Sequence, residues 1–205
     1  MITNPNVKIN LGLNILRKRE DGFHDLETLF IPYFGISDTL EIIVGDDYSR
    51  TSAFLFAKYG ECAQGISEDG KLMITIARED GIDWDPLKDL TAKAYYILAE
   101  DFKLPPVKIF LEKKSPVGAG LGGGSADAAF ALKMLLNFNL EMTAEEQLAA
   151  YASRLGSDCA FFVYNRPMVG QGRGEILTEY AGPLPFNWQQ GAEESGFMFD
   201  LQVLT

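Results

Sequence analysis

Apolar and polar side chains alternate along the beginning of the chain. From Val7 to Ile15 the odd positions are apolar, whereas the even positions carry Lys8, Asn10, a glycine and a further asparagine. A period of two over this length predicts a half-buried strand. Its polar face is unusual, because it carries amides and a lysine instead of a spread of surface charges. We expect Lys8 to lie on the face of this strand that points away from the core.

Shorter stretches with strand-like or helical periodicity follow along the rest of the chain. The predicted strands, separated by Gly, Asp and Ser turn signals, are 26–34, 39–44, 52–57, 107–111, 159–164 and, in the last part of the chain, 197–204. Segment 71–78 fits either a strand or the start of a helix. Helices are predicted over 89–102, from Ser125 to about 138, and from a capping box at Thr143 and Glu146 to Gly156. Because the strands come in runs between helices, we predict an α+β fold with mixed or antiparallel sheets.

The charge balance and the scarcity of metal and thiol ligands exclude several classes of protein. The 205 residues include 18 Lys and Arg against 29 Asp and Glu, which gives a net charge of −11. Such a chain is a poor electrostatic partner for nucleic acid or an anionic membrane, so we expect neither. Cys62 and Cys159 lie far apart and His24 is the only histidine, which excludes structural zinc sites and His-based catalytic triads. With no signal sequence and no membrane-spanning apolar run, the sequence predicts a cytoplasmic protein.

The strongest local signal is a glycine-rich loop between a predicted strand and a predicted helix. Five of the seven residues from Gly118 to Gly124 are glycine. A backbone without side chains can approach a phosphate closely, and the following helix adds unpaired N–H donors at its positive end. We therefore predict a phosphate-binding loop, with an ordinary glycine-rich turn as the alternative. Its residues are Pro116, Val117, Gly118, Ala119, Gly120, Leu121, Gly122, Gly123, Gly124, Ser125 and Ala126.

The common phosphate-binding motifs fit this loop poorly. Gly118, Gly120 and Gly123 match G-x-G-x-x-G, but no good candidate exists for the acidic residue that a dinucleotide fold needs at the end of a second strand. No Lys-Ser or Lys-Thr pair follows the loop, as a Walker motif requires, and the His-Arg-Asp and Asp-Phe-Gly segments of protein kinases do not occur. The loop thus predicts phosphate binding without assigning one of these nucleotide-binding folds.

Three blocks of the sequence carry recognisable motifs in a fixed order along the chain. They are NPNVKINL with REDGFHDLET in residues 4–28, the loop in residues 116–129, and LGSDCAFF followed by GQGRGE in residues 155–175. Together they cover roughly residues 5–180 and are similar to the 4-diphosphocytidyl-2-C-methyl-D-erythritol kinases of the GHMP kinase superfamily. The resemblance implies ATP-dependent phosphorylation of the 2-hydroxyl of that cytidine diphosphate compound, in the non-mevalonate route to isoprenoid precursors. It also implies a two-lobed fold with the active site between the lobes.

Five side chains outside the loop are candidates for roles in such a site. Asp158 follows a predicted helix end and precedes a predicted buried strand, so it can form a rigid carboxylate that accepts a hydroxyl proton. Lys8 beside it would keep the carboxylate ionised and stabilise a transferred phosphoryl group. From the residues alone, a surface lysine and a helix-terminal aspartate fit equally well. The resemblance implies that Lys8 and Asp158 are catalytic and that Asn10, Phe23 and His24 bind the substrate, with Phe23 stacking on cytosine.

The last part of the chain departs from this family. We predict an ATP-binding N-terminal domain in residues 1–181 and a divergent tail in residues 182–205, because the tail does not match the second lobe of the family's longer chains. We therefore expect the C-terminal lobe to be truncated or altered. An inactive ATP-binding fragment and another GHMP small-molecule kinase remain alternatives. Mg²⁺ is expected with ATP and Ser125 is a candidate ligand, while the other metal ligands and the oligomeric state stay open.

Overall fold

The chain folds into two sheets covered by helices. A computed structural model describes residues 1–20, 22–45, 47, 49–138, 144–184 and 188. The strands are β1 (Ile2–Thr3), β2 (Asn6–Lys18), β3 (His24–Ser37), β4 (Thr39–Val44), β5 (Ala63–Ile66), β6 (Leu72–Arg78), β7 (Val107–Lys113), β8 (Met168–Gly172) and β9 (Ile176–Glu179). The helices are α1 (Ser52–Tyr59), α2 (Leu90–Ala99), α3 (Gly123–Asn137), α4 (Glu145–Leu155) and α5 (Cys159–Tyr164), with a 3-10 turn at Pro86–Lys88. The predicted α+β class with mixed and antiparallel sheets is confirmed.

The larger sheet carries most of the hydrophobic core. Its strand order is β1-β4-β7-β6-β5, with β6 parallel to β7 and the other neighbours antiparallel. Ile74 and Ile109 of this sheet and Leu132 and Phe161 of the helices are fully buried in one core cluster. Burying one such side chain stabilises the fold by about 1.5–3 kcal/mol. The core therefore fixes β7 and α3, the two elements that the glycine loop connects.

The smaller sheet is antiparallel and has the order β2-β3-β8-β9. Only the first residues of β2, namely Asn6, Val7 and Lys8, are buried, whereas residues 10–18 of the strand are exposed. The expectation that Lys8 points away from the protein interior is therefore wrong. Both faces of β2 are covered at this level, because the glycine loop and α5 contact its polar side.

Most predicted elements are confirmed, and two are wrong. Segments 26–34, 39–44 and 107–111 lie in β3, β4 and β7, segment 71–78 is β6, and the helix over 89–102 is α2. Residues 52–57 belong to α1 and residues 159–164 form α5, although both were expected to be strands. Five of the six residues of α5 are buried, so no alternation distinguishes a helix from a strand in so short an apolar run.

Some predictions fall on residues outside the described part of the chain. Thr143 of the predicted capping box and the strand-like segment 197–204 lie there, while α4 is described from Glu145 and is followed by Gly156. The division between residues 1–181 and 182–205 stays a prediction for the same reason. No helix within the described residues is long and apolar enough to cross a membrane.

Candidate active site

The glycine loop joins β7 to α3 with an unusual backbone. Gly118, Gly120 and Gly122 have φ angles of 79°, 75° and 72°, a region that residues with side chains rarely adopt. Residues 117–120 are exposed, and α3 begins shortly afterwards at Gly123, two residues before the expected Ser125. The first N–H groups of a helix have no partner inside it, so the loop and the helix start together offer donors to an anion.

The loop is fixed against the first strand of the smaller sheet. The Lys8 N–H donates to the carbonyl of Leu121 at 2.9 Å, and the Lys8 ammonium donates to the carbonyl of Gly120 at 3.1 Å. At Gly122 a Cβ would lie 3.0 Å from the ring of Phe162 and 3.3 Å from Cγ of Lys8. Glycine at this position therefore satisfies both the positive φ and the close approach of the loop to its neighbours.

Lys8 and Asp158 meet beside this loop. Nζ of Lys8 lies 3.3 Å from Oδ2 of Asp158, donates to Oδ1 of Asn10 at 2.7 Å, and stands 4.7 Å from the ring centroid of Phe30. The Lys8 side chain is 3% exposed and that of Asp158 is 28% exposed. Burial lowers the pKa of Lys8, and the charge and hydrogen bond of Asp158 oppose that effect. The structure thus brings three of the sequence-derived candidates together, with a cation and a reachable carboxylate side by side.

Asp158 is held at the junction of two helices. It follows the end of α4 at Gly156 and occupies the N-cap position of α5, but its side chain makes no capping hydrogen bond. One of its oxygens is therefore oriented by Lys8 instead of by the helix backbone. The element after Asp158 is a helix and not the expected strand, yet the buried residues of α5 give this position the rigid support that the prediction required.

Phe23 and His24 lie at the opposite end of the β2–β3 hairpin from Lys8. His24 pairs with Lys18 in the ladder, ten residues along β2 from Lys8. Phe23 is exposed, and the guanidinium of Arg173 lies 5.3 Å from its ring centroid. The hairpin register therefore separates these two candidates from the Lys8 contact.

The turn between β8 and β9 links the two parts of the site. Arg173 in this turn reaches Phe23, and the next residue, Gly174, lies close to Asp158. A Cβ at Gly174 would stand 3.5 Å from Oδ1 of Asp158, and the φ of Gly174 is 108°. The positive φ and a 3.2 Å approach to the ring of Phe30 favour glycine here, and one short segment spans the distance between Asp158 and the exposed aromatic ring.

Comparisons with known proteins identify relatives over most of the chain. Residues 89–166 match the family profile described as GHMP kinases N terminal domain. The chain is 46% identical over 179 residues to the 4-diphosphocytidyl-2-C-methyl-D-erythritol kinase of Bacteroides fragilis, which covers 87% of this chain and 57% of that protein. It is 43% identical over 188 residues to the protein of the same name from Bacteroides thetaiotaomicron, which covers 91% of this chain and 59% of that protein. The chain therefore carries a GHMP kinase N-terminal domain in residues 89–166.

Solved structures agree with the family assignment and with the resemblance of the three sequence blocks. A crystal structure of 4-(cytidine 5'-diphospho)-2C-methyl-D-erythritol kinase matches this chain with a TM-score of 0.65 and 30% identity, covering 89% of this chain and 56% of that chain. A mevalonate kinase matches with a TM-score of 0.56 at 11% identity, which shows a shared fold. The chain spans somewhat more than half of the length of the curated relatives it matches.

Ser125 is a polar side chain in the first turn of α3. It is half-buried and lies close to the thiol of Cys159. Burial raises the pKa of the Cys159 thiol to about 11, so the thiol stays protonated near neutral pH and is a poor nucleophile. The described residues contain no group of three or more His, Cys, Asp or Glu side chains that could hold a metal ion. A metal here would need ligands from a bound molecule as well as from the protein.

A second group of charges lies buried beneath the glycine loop, and sequence patterns do not reveal it. Lys113 contacts both Asp38 and Asp127, and all three are buried. The sequence gives only two weak indications of this group. Lys113 continues the inward-facing odd positions of β7, and Asp127 interrupts the alanines at the start of α3. Finding the group from sequence would require knowing that Asp38 lies beside the end of β7.

Proposed function

We propose that this chain provides the ATP-binding and phosphoryl-transfer site of a kinase that acts on the 2-hydroxyl of 4-diphosphocytidyl-2-C-methyl-D-erythritol. One observation carries the proposal: the Lys8 ammonium contacts both the carbonyl of Gly120 in the loop and the carboxylate of Asp158. A single cation therefore stands between a loop suited to phosphate and a group suited to accept a proton. The names of the similar proteins supply the substrate.

The glycine loop would bind the phosphates of ATP. The chain carries a net charge of −11, so its overall field does not attract an anion. The attraction must come from local groups, namely the N–H donors of the loop and of the first turn of α3, together with the Lys8 ammonium. The exposure of residues 117–120 leaves this surface open to a nucleotide.

Phosphoryl transfer would proceed between the loop and Asp158. The substrate hydroxyl oxygen forms a bond to the γ-phosphorus while the bond from that phosphorus to the bridging oxygen of ADP breaks, and Asp158 accepts the hydroxyl proton. Lys8 stabilises the negative charge on the transferred group. Because Lys8 is buried and its charge depends on Asp158, the two side chains act as one unit.

The hairpin end and the β8–β9 turn would hold the cytidine diphosphate part of the substrate. The exposed ring of Phe23 can stack on the base, and His24 can hydrogen-bond to the edge of the base. A base stacked on an aromatic ring contributes about 1–3 kcal/mol. Arg173, next to Phe23, brings a cation suited to a diphosphate. The separation from Lys8 along the hairpin fits a substrate whose base and reacting hydroxyl lie at opposite ends of a diphosphate linker.

Mg²⁺ would enter this site with ATP. This ion keeps several waters and usually takes one or two protein ligands besides phosphate oxygens. The half-buried hydroxyl of Ser125, in the first turn of α3, fits such a role. When bound, the ion neutralises charge on the phosphates.

Substitution of Asp158 tests the proposal. In the 205-residue chain, Asp158→Asn should lower kcat about 10²–10⁴-fold, the range for a lost general base, and leave ATP affinity nearly unchanged. Turnover is measured as ADP release and by phosphorus NMR of the cytidine product, and ATP affinity by calorimetry. The matched control is Asp80→Asn, because Asp80 is exposed and pairs only with the neighbouring Arg78 among the ion pairs described.

The outcomes separate the competing functions. A variant that keeps more than half of the wild-type rate removes Asp158 from the mechanism. ATP binding without transfer in the wild type would favour a nucleotide-binding module. Transfer to another small alcohol, but not to the cytidine compound, would favour a different GHMP kinase.

A further inference from the structure

The buried charges beneath the glycine loop form one connected group. Nζ of Lys113 donates to Oδ2 of Asp38 at 2.5 Å, to Oδ2 of Asp127 at 2.6 Å and to Oγ of Ser115 at 3.2 Å. The Ser115 hydroxyl in turn donates to Oδ2 of Asp38 at 2.7 Å. The phosphoryl-transfer step described above uses none of these groups.

The group contacts both ends of the loop. On the strand side, Oδ1 of Asp38 accepts the backbone N–H groups of Lys114 at 2.6 Å and Ser115 at 2.7 Å. On the helix side, Asp127 lies in the first turns of α3, where its carboxylate accepts the Lys113 hydrogen bond. The ammonium of Lys113 therefore ties the end of β7 to the start of α3, directly below the segment that offers donors to phosphate.

Gly123 shows how closely the two ends are packed. A Cβ at this position would lie 2.1 Å from Oγ of Ser115 and 3.4 Å from Nζ of Lys113. The first residue of α3 thus rests on the charged group with no room for a side chain. Any movement of Lys113 or Ser115 would be transmitted to the N-terminus of α3.

The group contains two carboxyl groups, those of Asp38 and Asp127, and one ammonium group, that of Lys113. Burial would lower the pKa of Lys113, but the charges of Asp127 and Asp38 outweigh burial and raise it. Burial raises the pKa of Asp127 well above its usual value, although Lys113 opposes this. Among the described residues, Oδ1 of Asp127 has no hydrogen-bond partner. A fully buried carboxylate with an unused oxygen is costly for folding, which points to a role other than stabilisation.

We propose that Lys113 and Asp127 are positioning residues that hold the glycine loop in its phosphate-binding shape. The physical reason is entropy, because glycine-rich segments lose more conformational freedom on ordering than other segments. Fixing both ends of the loop before a ligand arrives lowers the cost of binding. The inference rests on the proposed function for its ligand, the phosphates of ATP, and extends it to residues that do not touch that ligand.

Asp127→Ala and Asp127→Asn form the test pair. The alanine variant removes the tie to α3 but leaves Lys113 paired with Asp38, so no buried charge loses every partner. The asparagine variant keeps an oxygen acceptor for Lys113. Leu135→Ala is the control for general destabilisation, because Leu135 is fully buried near the other end of the same helix.

Two measurements report on the order of the loop, namely amide exchange without any ligand and the affinity for ATP. In hydrogen–deuterium exchange, the amides of residues 126–130, which begin with the Ala126 N–H that donates to the Gly122 carbonyl, should exchange at least about tenfold faster in Asp127→Ala, the equivalent of one charge-assisted hydrogen bond. ATP affinity by calorimetry should fall by a similar factor, while adenosine, measured by displacement of a fluorescent ATP analogue, should bind as in the wild type. Asp127→Asn should stay within about threefold of wild type in both measurements, and Leu135→Ala should lose urea stability without a selective loss of ATP affinity.

The results distinguish this inference from the proposed function. Exchange in Asp127→Ala at the wild-type rate would overturn the positioning role, and so would an Asp127→Asn variant as impaired as the alanine variant. If the wild type binds no ATP but the amides of residues 126–130 in Asp127→Ala still exchange faster, the nucleotide function fails while the positioning role of Asp127 stands.

Discussion

Alanine substitutions at Gly122 and Gly120 separate backbone strain from crowding at the centre of the site. The two glycines have φ angles of 72° and 75°, so an alanine at either position meets the same left-handed strain, about 1–2 kcal/mol. Their surroundings differ. A Cβ at Gly120 has no atom within 4 Å, whereas a Cβ at Gly122 meets Phe162 at 3.0 Å and Lys8 at 3.3 Å. The difference between the two variants therefore measures how tightly the loop packs on β2 and α5.

Gly122→Ala should lower the free energy of unfolding more than Gly120→Ala. Phe162 is fully buried, and its ring centroid lies 5.1 Å from that of Phe161, so it cannot move without disturbing the core. Overpacking of this kind costs about 1–3 kcal/mol. We expect a loss of about 1–2 kcal/mol for Gly120→Ala and of about 2–5 kcal/mol for Gly122→Ala.

The assay is urea unfolding, with the free energy obtained by linear extrapolation and ATP affinity measured in parallel. Gly122→Ala should also weaken ATP binding, because the added methyl group pushes against Lys8. Gly70→Ala is an additional control away from the site: its φ is 69° and nothing lies within 4 Å of the added atom. Gly70→Ala should lower the free energy of unfolding through backbone strain alone and leave ATP affinity unchanged. Equal stability losses at Gly122 and Gly120 would refute the close packing of the loop.

The substrate end of the hairpin, stability in acid and the end of α5 can each be tested by one substitution. Phe23→Ala should weaken the cytidine substrate about five- to a hundredfold in KM and leave ATP unchanged; equal weakening of both would indicate a folding defect. Burial raises the pKa of Glu112, but hydrogen bonds from two lysines and a tyrosine outweigh it and lower the pKa to about 2 from 4.5. The wild type should therefore lose stability as pH falls from about 4.5 to 2. Urea unfolding of Glu112→Gln should show a lower free energy of unfolding at pH 7 and a smaller change of that free energy between pH 4.5 and 2. Parallel pH dependences of the two proteins would contradict this. Asn165→Gly keeps the left-handed backbone (φ 48°) but removes two hydrogen bonds with Asn6. The free energy of unfolding should therefore fall by about 1–3 kcal/mol. An unchanged midpoint in urea would show that the amide pair contributes nothing.

The fold could be predicted from sequence where one face of an element is buried over its whole length. In β7 the alternating residues Val107, Ile109 and Leu111 face the main core cluster, and α2 has a helical stripe that packs on the same cluster. α1 and α5 could not be predicted in this way. In α1 only Leu55 is buried, so the hydrophobic residues of this helix do not mark a buried face. In α5 nearly every residue is buried, so its sequence shows no polar face. Both cases remove the contrast on which periodicity depends.

The candidate site was accessible to sequence reasoning only in part. A glycine loop that opens a helix has a local physical reason to bind phosphate, so residues 116–126 could be identified from the chain alone. Lys8 and Asp158 are 150 positions apart, and the resemblance to a family was needed to pair them. Lys113 and Asp38 are 75 positions apart, and no motif joins them. Contacts of this kind depend on topology, which local patterns do not encode.

The burial of Lys8 shows what alternation along a strand can and cannot predict. Alternation indicates which side chains share a face, but the elements that pack on the strand decide which face is inside. On β2 burial follows the position along the strand instead of the face: Asn6, Val7 and Lys8 are all buried, whereas Leu11, Leu13 and Ile15 are 43%, 54% and 65% exposed. The polar face tolerates burial because its groups are paired by distant parts of the chain, the Asn6 amide with Asn165 and the Lys8 ammonium with Asp158 and the loop carbonyl of Gly120. A strand whose polar face carries amides and a lysine, without a spread of surface charges, is therefore best interpreted as the wall of a site, and its partners should be sought among the motifs farthest away in sequence.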